Sequence, residues 1–205
     1  MRSTHLSTIG VASALAVAAA MIFGAAPSTA TRARALHEPH TTRAAAVTDP
    51  QIAAIVVAAN TVDIEAGKLA RSKTKNEKVK QFADTMVTDH TAVNKAAVDL
   101  VTRLGVTPEE SETSRGLTAS GEKERARLSG LSGKAFDREY IANEVAYHKL
   151  VIDAVDKTLI PNAQNAELKA TLVSVRPALV AHLQHAEHLQ AELAGKKSAK
   201  GTHKR

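Results

Sequence analysis

The sequence predicts an all-α protein: a four-helix bundle whose long connection between the second and third helices carries a short helix of its own. Three observations lead there. Apolar residues recur at alternating steps of three and four, as in Val79, Ala83, Met86, Val93, Ala97, Leu100 and Leu104, so one helix face carries them all. Helix-capping and helix-breaking residues punctuate four such stretches. The composition is 44% hydrophobic and 2% aromatic, without Trp or Cys, so the core must come from many small contacts between Ala-, Val- and Leu-rich stripes.

In chain order, residues 1–30 read as a secretory signal. Arg2 and His5 precede an apolar run from Ile9 to Ala26, and the small residues Ser28 and Ala30 form an A-x-A-like cleavage pattern. The run is also just long enough for an uncleaved anchor, and both readings place the rest of the chain outside the cytoplasm: extracellular, periplasmic or attached to the cell envelope. Residues 31–48, with His37 and His40, mix Pro, Thr, Arg and Ala without a period and read as a flexible leader.

The bundle is expected over residues 49–195. Its first helix opens with Asp49 as N-cap and Pro50 at the first helical position, on the line Ile55, Ala58, Val62, Glu65, Leu69, Ser72. The second opens with a capping box, Thr74-x-x-Glu77, and ends near Gly105 with Pro108 beyond. From Val106 to Gly133 the chain is polar. A short surface helix is expected over Ala119 to Leu131, anchored by Leu117, Leu128 and Leu131, either in a crossover along the bundle or in an excursion at one end. The third helix runs from about Lys134 to Leu159 on Ile141, Glu144, His148, Val151 and Val155, and Pro161-Asn162 breaks it. The fourth runs from about Ala163 to Leu193 on Leu168, Leu172, Val175, Leu179, His182, Ala186 and Leu189. Pro177 should kink it a little over one turn before His182.

The net charge of +6 belongs to the ends of the chain. Residues 49–195 hold 18 Lys/Arg against 20 Asp/Glu, whereas the ten residues after Gly195 carry five basic groups and no acid. A nearly neutral body with only Phe82, Phe136, Tyr140 and Tyr147 for stacking excludes nucleic-acid binding. The basic tail, residues 196–205, is expected to be disordered, with at most weak contact to anionic envelope polymers or lipid headgroups.

Each of the four stripes is interrupted by a polar group: Glu65, His90 flanked by Asp89, Glu144 with His148, and His182. An unpartnered buried polar group costs roughly 1–3 kcal/mol, so these groups need one another or a ligand. Imidazoles and carboxylates together suit Fe, Mn, Zn or Cu, and bundle cores are where such sites are built. Metal candidates are therefore Glu65, His90, Glu144, His148 and His182, with Asp89 either an acceptor behind an imidazole or a group facing water. At about 1.5 Å per residue, Glu65 and His90 differ by roughly 10 Å in height, too far to share one ion. A crossover would level His90 with His148 and Glu65 with His182, with Glu144 between. An up-down-up-down bundle would level His90, Glu144 and His182 and leave Glu65 apart.

Three segments, FADTMVTDHTAVN, SGKAFDREYIANEVAYHKLVI and LVSVRPALVAHLQHAEHL, carry a family resemblance. They are similar to the motifs FA-x-x-M-v-x-DH, sG-x-x-FD-x-x-Y…H and L-P-x-L-x-x-H-L of the exported bacterial family named for domain of unknown function 4142, some members of which carry an outer-membrane label. The resemblance spans about Asp49 to Leu193. It implies a ferritin-like four-helix fold and a metal-binding core, and brings no established activity. Members often have Asp-His in the third helix as well; here Tyr147 precedes His148. Ferritin-like di-iron sites use Glu-x-x-His on two helices. The residues three before Asp89, His148 and His182 are Met86, Val145 and Leu179, so no bridged ferroxidase centre is expected. His185 and His188 read as rim residues.

Three function classes remain: a structural bundle whose buried imidazoles and carboxylates pair with each other, a metal-binding bundle, and a metal-dependent redox or metal-handling protein. The sequence leans away from an enzyme, since it contains no Ser-His-Asp set, phosphate-cradling glycine loop or paired-carboxylate hydrolase pattern.

Overall fold

Every regular element in the computed structural model, which describes residues 46–195, is helical. The signal segment, most of the leader and the basic tail lie outside those residues. No helix among the described residues is long and apolar enough to cross a membrane.

Helix α1 spans Asp49–Lys73. Its N-cap is Thr48, not Asp49: the Thr48 hydroxyl accepts from the Gln51 N–H, and the Gln51 side chain accepts from the Thr48 N–H. Asp49 is freed for a longer contact. Its carboxylate accepts from the backbone N–H groups of Gln164 and Asn165 at 2.9 and 2.8 Å, where α6 begins. Helix α2 spans Glu77–Arg103, capped by the Asn76 side chain on the Lys78 N–H. The expected Thr74 capping box is absent: the Thr74 hydroxyl accepts from the Asn76 N–H at 3.0 Å and donates to the Asp137 carboxylate, 2.6 Å away. Gly105, at φ +65, turns the chain out of α2 in a conformation that suits a residue without Cβ.

The connection holds more helix than expected. Helix α3 spans Glu112–Ser129 and starts from a Ser111/Ser114 capping box. It runs parallel to α1: the Glu109 N–H donates to the Pro50 carbonyl at one end, and Lys73 donates to the Ser129 carbonyl at the other. Helix α4 spans Gly133–Ala154 and continues through a π turn, Val155–Leu159, into the single turn α5, Ile160–Asn162. Pro161 has no N–H, and its ring would crowd the carbonyl four residues back; the widened turn just before it gives the ring room. Helix α6 spans Ala166–Gly195 and passes Pro177 without interruption, with that proline exposed.

Side-chain contacts fix the directions. Thr74 meets Asp137 and Lys78 meets Glu192 at the end where α1 turns into α2. Asp49 meets Gln164, and Arg103 meets Glu167, at the opposite end. Thus α1 and α6 point one way, α2 and α4 the other, and α3 is a crossover along the outside of α1.

The core is split in two. One apolar cluster, with Phe82, Met86, Phe136, Tyr140 and Leu189, fills the half nearest the α1–α2 turn; Phe136 and Tyr140 stack at 6.0 Å. The other, with Ile52, Ile55, Leu100, Leu159, Leu168 and Leu172, fills the opposite half. Each of the four main helices places buried polar residues between the two: Asn60 and Asp63, His90, Glu144 and His148, and His182.

The residues of α1 turned to the bundle interior include Ile52, Ile55, Asn60, Asp63, Gly67 and Ala70, whereas Val62 and Glu65 turn toward α3. Val62 meets α3 so closely that a Cβ on Gly121 would lie 2.6 and 2.8 Å from its methyls. Gly121→Ala should therefore destabilise the fold by about 1–3 kcal/mol through overpacking, despite a helix-propensity gain near 1 kcal/mol. Adding Val62→Ala should restore much of the loss in urea unfolding. A single variant as stable as the wild type would refute the close approach of α3 to α1.

Candidate functional site

Three imidazoles meet in the polar layer. The ring centroids of His90 and His148 lie 5.7 Å apart, those of His90 and His182 5.3 Å, and those of His148 and His182 5.5 Å. All three side chains are buried. Their level is set by helix pairing: α2 and α4 run parallel and α6 antiparallel to both, so residues 90, 148 and 182 reach the same height.

Each ring is held from outside by one acceptor. Asn60 donates its amide to the Val56 carbonyl at 2.8 Å, which turns its oxygen toward His90 Nδ1 at 2.7 Å. The Glu144 backbone carbonyl accepts from His148 Nδ1 at 3.0 Å. The Asp89 carboxylate accepts from His182 Nε2 at 2.9 Å. These acceptors place the N–H on the outer nitrogen of each ring, so the inner nitrogens, His90 Nε2, His148 Nε2 and His182 Nδ1, carry lone pairs. All three are buried without a hydrogen-bond partner and lie within 4.8 Å of one another.

Two carboxyls border this point. Asp63 Oδ2 is 3.1 Å from His90 Nε2 and 3.7 Å from His148 Nε2. Asp63, Glu144 and His148 also bring one ligand atom each within 4.8 Å of the others. The His–Asp contacts are not ion pairs. Burial, reinforced by the neighbouring imidazoles, lowers His90 to about 3. Burial also lowers His148, to about 4, against the upward pull of the Glu144 carbonyl. Burial raises Asp63 to about 7, and raises Glu144 well above the usual carboxylate range, with Asp63 beside it adding to the shift. Near neutral pH His90 and His148 are uncharged, Glu144 keeps its proton and Asp63 is part-protonated. A proton on Asp63 can bridge to His90, whereas the inner nitrogens of His148 and His182 have no hydrogen-bond partner. Tyr147 closes the layer by donating to the Ala59 carbonyl at 3.0 Å.

Of the residues expected from the sequence, His90, His148 and His182 come together, Glu144 adjoins them, and Asp89 stands behind His182. Glu65 is a correction. Its side chain is 38% exposed and meets Lys68 at 2.8 Å and Arg125 of α3 at 3.9 Å. Asp63 takes the inner position, and His182 levels with His90 rather than with Glu65. Asp63 and Asn60 went unrecognised, although they interrupt an apolar stripe at three- and four-residue steps just as His90 does. α1 is apolar on two faces because α3 covers one of them, so periodicity could not single out the inner one.

The family described as a domain of unknown function, DUF4142, matches residues 34–189. No curated protein matches the chain. In fold the chain is similar to the crystal structure of a candidate secreted protein, DUF305, from Streptomyces coelicolor. The TM-score is 0.61 at 13% sequence identity, with 70% of this chain and 92% of that one covered.

The raised Asp63 carboxyl gives a test of sign. Between its ordinary 3.8 and about 7, the folded protein keeps a proton that the unfolded chain has released. The stability this group contributes is therefore whole below about pH 4 and is lost as pH rises toward 7. In chelator-treated protein, Asp63→Asn should melt roughly 3–8 °C above the wild type at pH 8, and alongside it at pH 4. Equal melting temperatures at pH 8 would mean that Asp63 is not strained by burial. The lowered histidines act in the opposite direction, but equally in both proteins.

Proposed function

This chain belongs to the DUF4142 family, and from that premise we propose that it is an exported, ferritin-like bundle protein whose polar layer binds one divalent transition-metal ion. His90, His148 and His182 would hold the ion through their inner nitrogens, with Asp63 as the fourth ligand and Glu144 beside it. One observation carries this reading: three buried lone pairs converge, with only that of His90 in reach of the Asp63 carboxyl at 3.1 Å, while the opposite nitrogen of each ring is fixed by an acceptor. Imidazole ligands in metal sites are oriented in this way, and the outer acceptor raises ligand basicity.

A purely structural network fits less well. Its members would satisfy one another, whereas here each unmet buried atom costs roughly 1–3 kcal/mol. The donor set, three nitrogens and a carboxylate, suits Zn, Cu, Fe or Mn. When bound, such an ion supplies Lewis-acid character and a positive charge to a dry interior. The chain's own residues fix the tautomers, exclude water and release the Asp63 proton on loading. Two antiparallel hairpins joined by a crossover support the ferritin-like description, while the lack of Glu-x-x-His separates this site from a bridged di-iron centre. Export rests on the signal-like residues 1–30, and the five basic groups of the tail would give weak contact with anionic envelope components.

Metal analysis of the full chain purified without a His tag should give close to one equivalent after loading with Zn, Mn, Fe or Cu, with a higher melting temperature. His148→Ala should abolish that rise, and Asp89→Asn should weaken affinity about 10–100-fold. Affinity should also climb as pH rises through about 7, because Asp63 must give up its proton. No stoichiometric metal and no thermal shift with any of the four ions would overturn the reading.

A further inference from the structure

The polar layer forms one end of a cavity of about 230 Å³. Asp63, Asp89, His90, His148 and His182 line that end, and the cavity continues into the half of the bundle away from the α1–α2 turn. There its walls are apolar, with Ile55, Leu100, Leu159, Leu168 and Leu172 among them. An apolar cavity of about 150 Å³ already accepts benzene, so this one is large for a packing defect. From the level of His182 to that of Leu168 is 14 residues of α6, or about 21 Å along the axis. The space is long, apolar and closed at one end by the only cluster of inward lone pairs among the described residues. Binding sites of this form, mostly apolar with a few polar groups at one place, fix one end of a ligand and bury the rest.

We propose that the cavity binds a medium-chain aliphatic carboxylate, with the alkyl chain along Leu100, Leu168 and Leu172 and the head group at the His90–His148–His182 end. The head-group part rests on the metal reading. Three lone pairs and Asp63 would repel a free anion, whereas a bound cation would accept a carboxylate beside them. The tail part stands on the cavity alone, because burying alkyl surface contributes about 0.8 kcal/mol per CH₂ whatever stands at the far end. The shape favours an unbranched chain with one polar end, since the apolar walls have no second charged group to meet.

The test is calorimetric titration of the zinc-loaded full chain with octanoate, butyrate and acetate, repeated on chelator-treated protein with octanoate and octanol. Octanoate should bind the zinc-loaded protein at least tenfold more tightly than butyrate, and acetate should give no measurable tail-dependent gain. Val175→Phe and Leu172→Trp, which fill the apolar half, should reduce octanoate affinity at least tenfold while leaving zinc stoichiometry unchanged; unchanged zinc binding also shows that each variant folds. Val175 lines the same cavity two turns before His182, so the pair guards against one variant failing. Octanoate no tighter than acetate, or unaffected by both fillings, would overturn the proposal. If the chain takes up no zinc, the metal reading fails separately. Octanol binding to chelator-treated protein, lost on filling, would then keep the apolar site and remove only the carboxylate head. Absence of octanol binding as well would remove both.

Discussion

Three imidazoles share one small volume in the middle of this bundle, and that constraint orders much of the rest. Uncharged rings can be packed edge to edge in an apolar interior only if each N–H has a fixed acceptor. The structure draws these acceptors from three separate places: a side-chain amide on α1, a backbone carbonyl on α4 and a rim carboxylate on α2. Asn60 is itself oriented by the Val56 carbonyl. The ring orientations are thus set before any ligand arrives, and the lone pairs face inward together.

The surrounding fold keeps this layer in place. Two apolar clusters, one on each side, isolate it from the bundle ends, and burial in turn accounts for the neutral His90 and His148 and the raised Asp63 and Glu144 carboxyls. The clusters differ in quality. The half near the α1–α2 turn is filled by stacked aromatics and by the Gly67–Ala83 contact between α1 and α2. The other half depends on aliphatic side chains and leaves a cavity open to the imidazoles. A site of low dielectric with unmet lone pairs on one side and free apolar space on the other costs stability, which fits the general cost of buried titratable groups.

Helix α3 has two effects on the fold. As a crossover it makes α2 and α4 parallel, which levels His90 with His148. As a cover for α1 it turns an apparent core stripe into a second interface, where Gly121 fits against Val62. A tight connection in its place would have reversed α4 and separated the imidazoles.

By itself the sequence determined the helices, their approximate ends and the polar interruptions at His90, Glu144, His148 and His182, because heptad spacing and breakers are local signals. It left Asp89 open, either an acceptor behind an imidazole or a group facing water. Tertiary structure alone decided that α3 runs the length of α1, that Asp63 and not Glu65 faces inward, and that Asn76 rather than Thr74 caps α2 while Thr74 binds Asp137. The reason is physical: a helix apolar on two faces has no unique inner stripe until its neighbours are placed, and the partner that takes a hydroxyl's proton lies 63 residues away in sequence. Height along the bundle likewise depends on direction, which no single helix encodes.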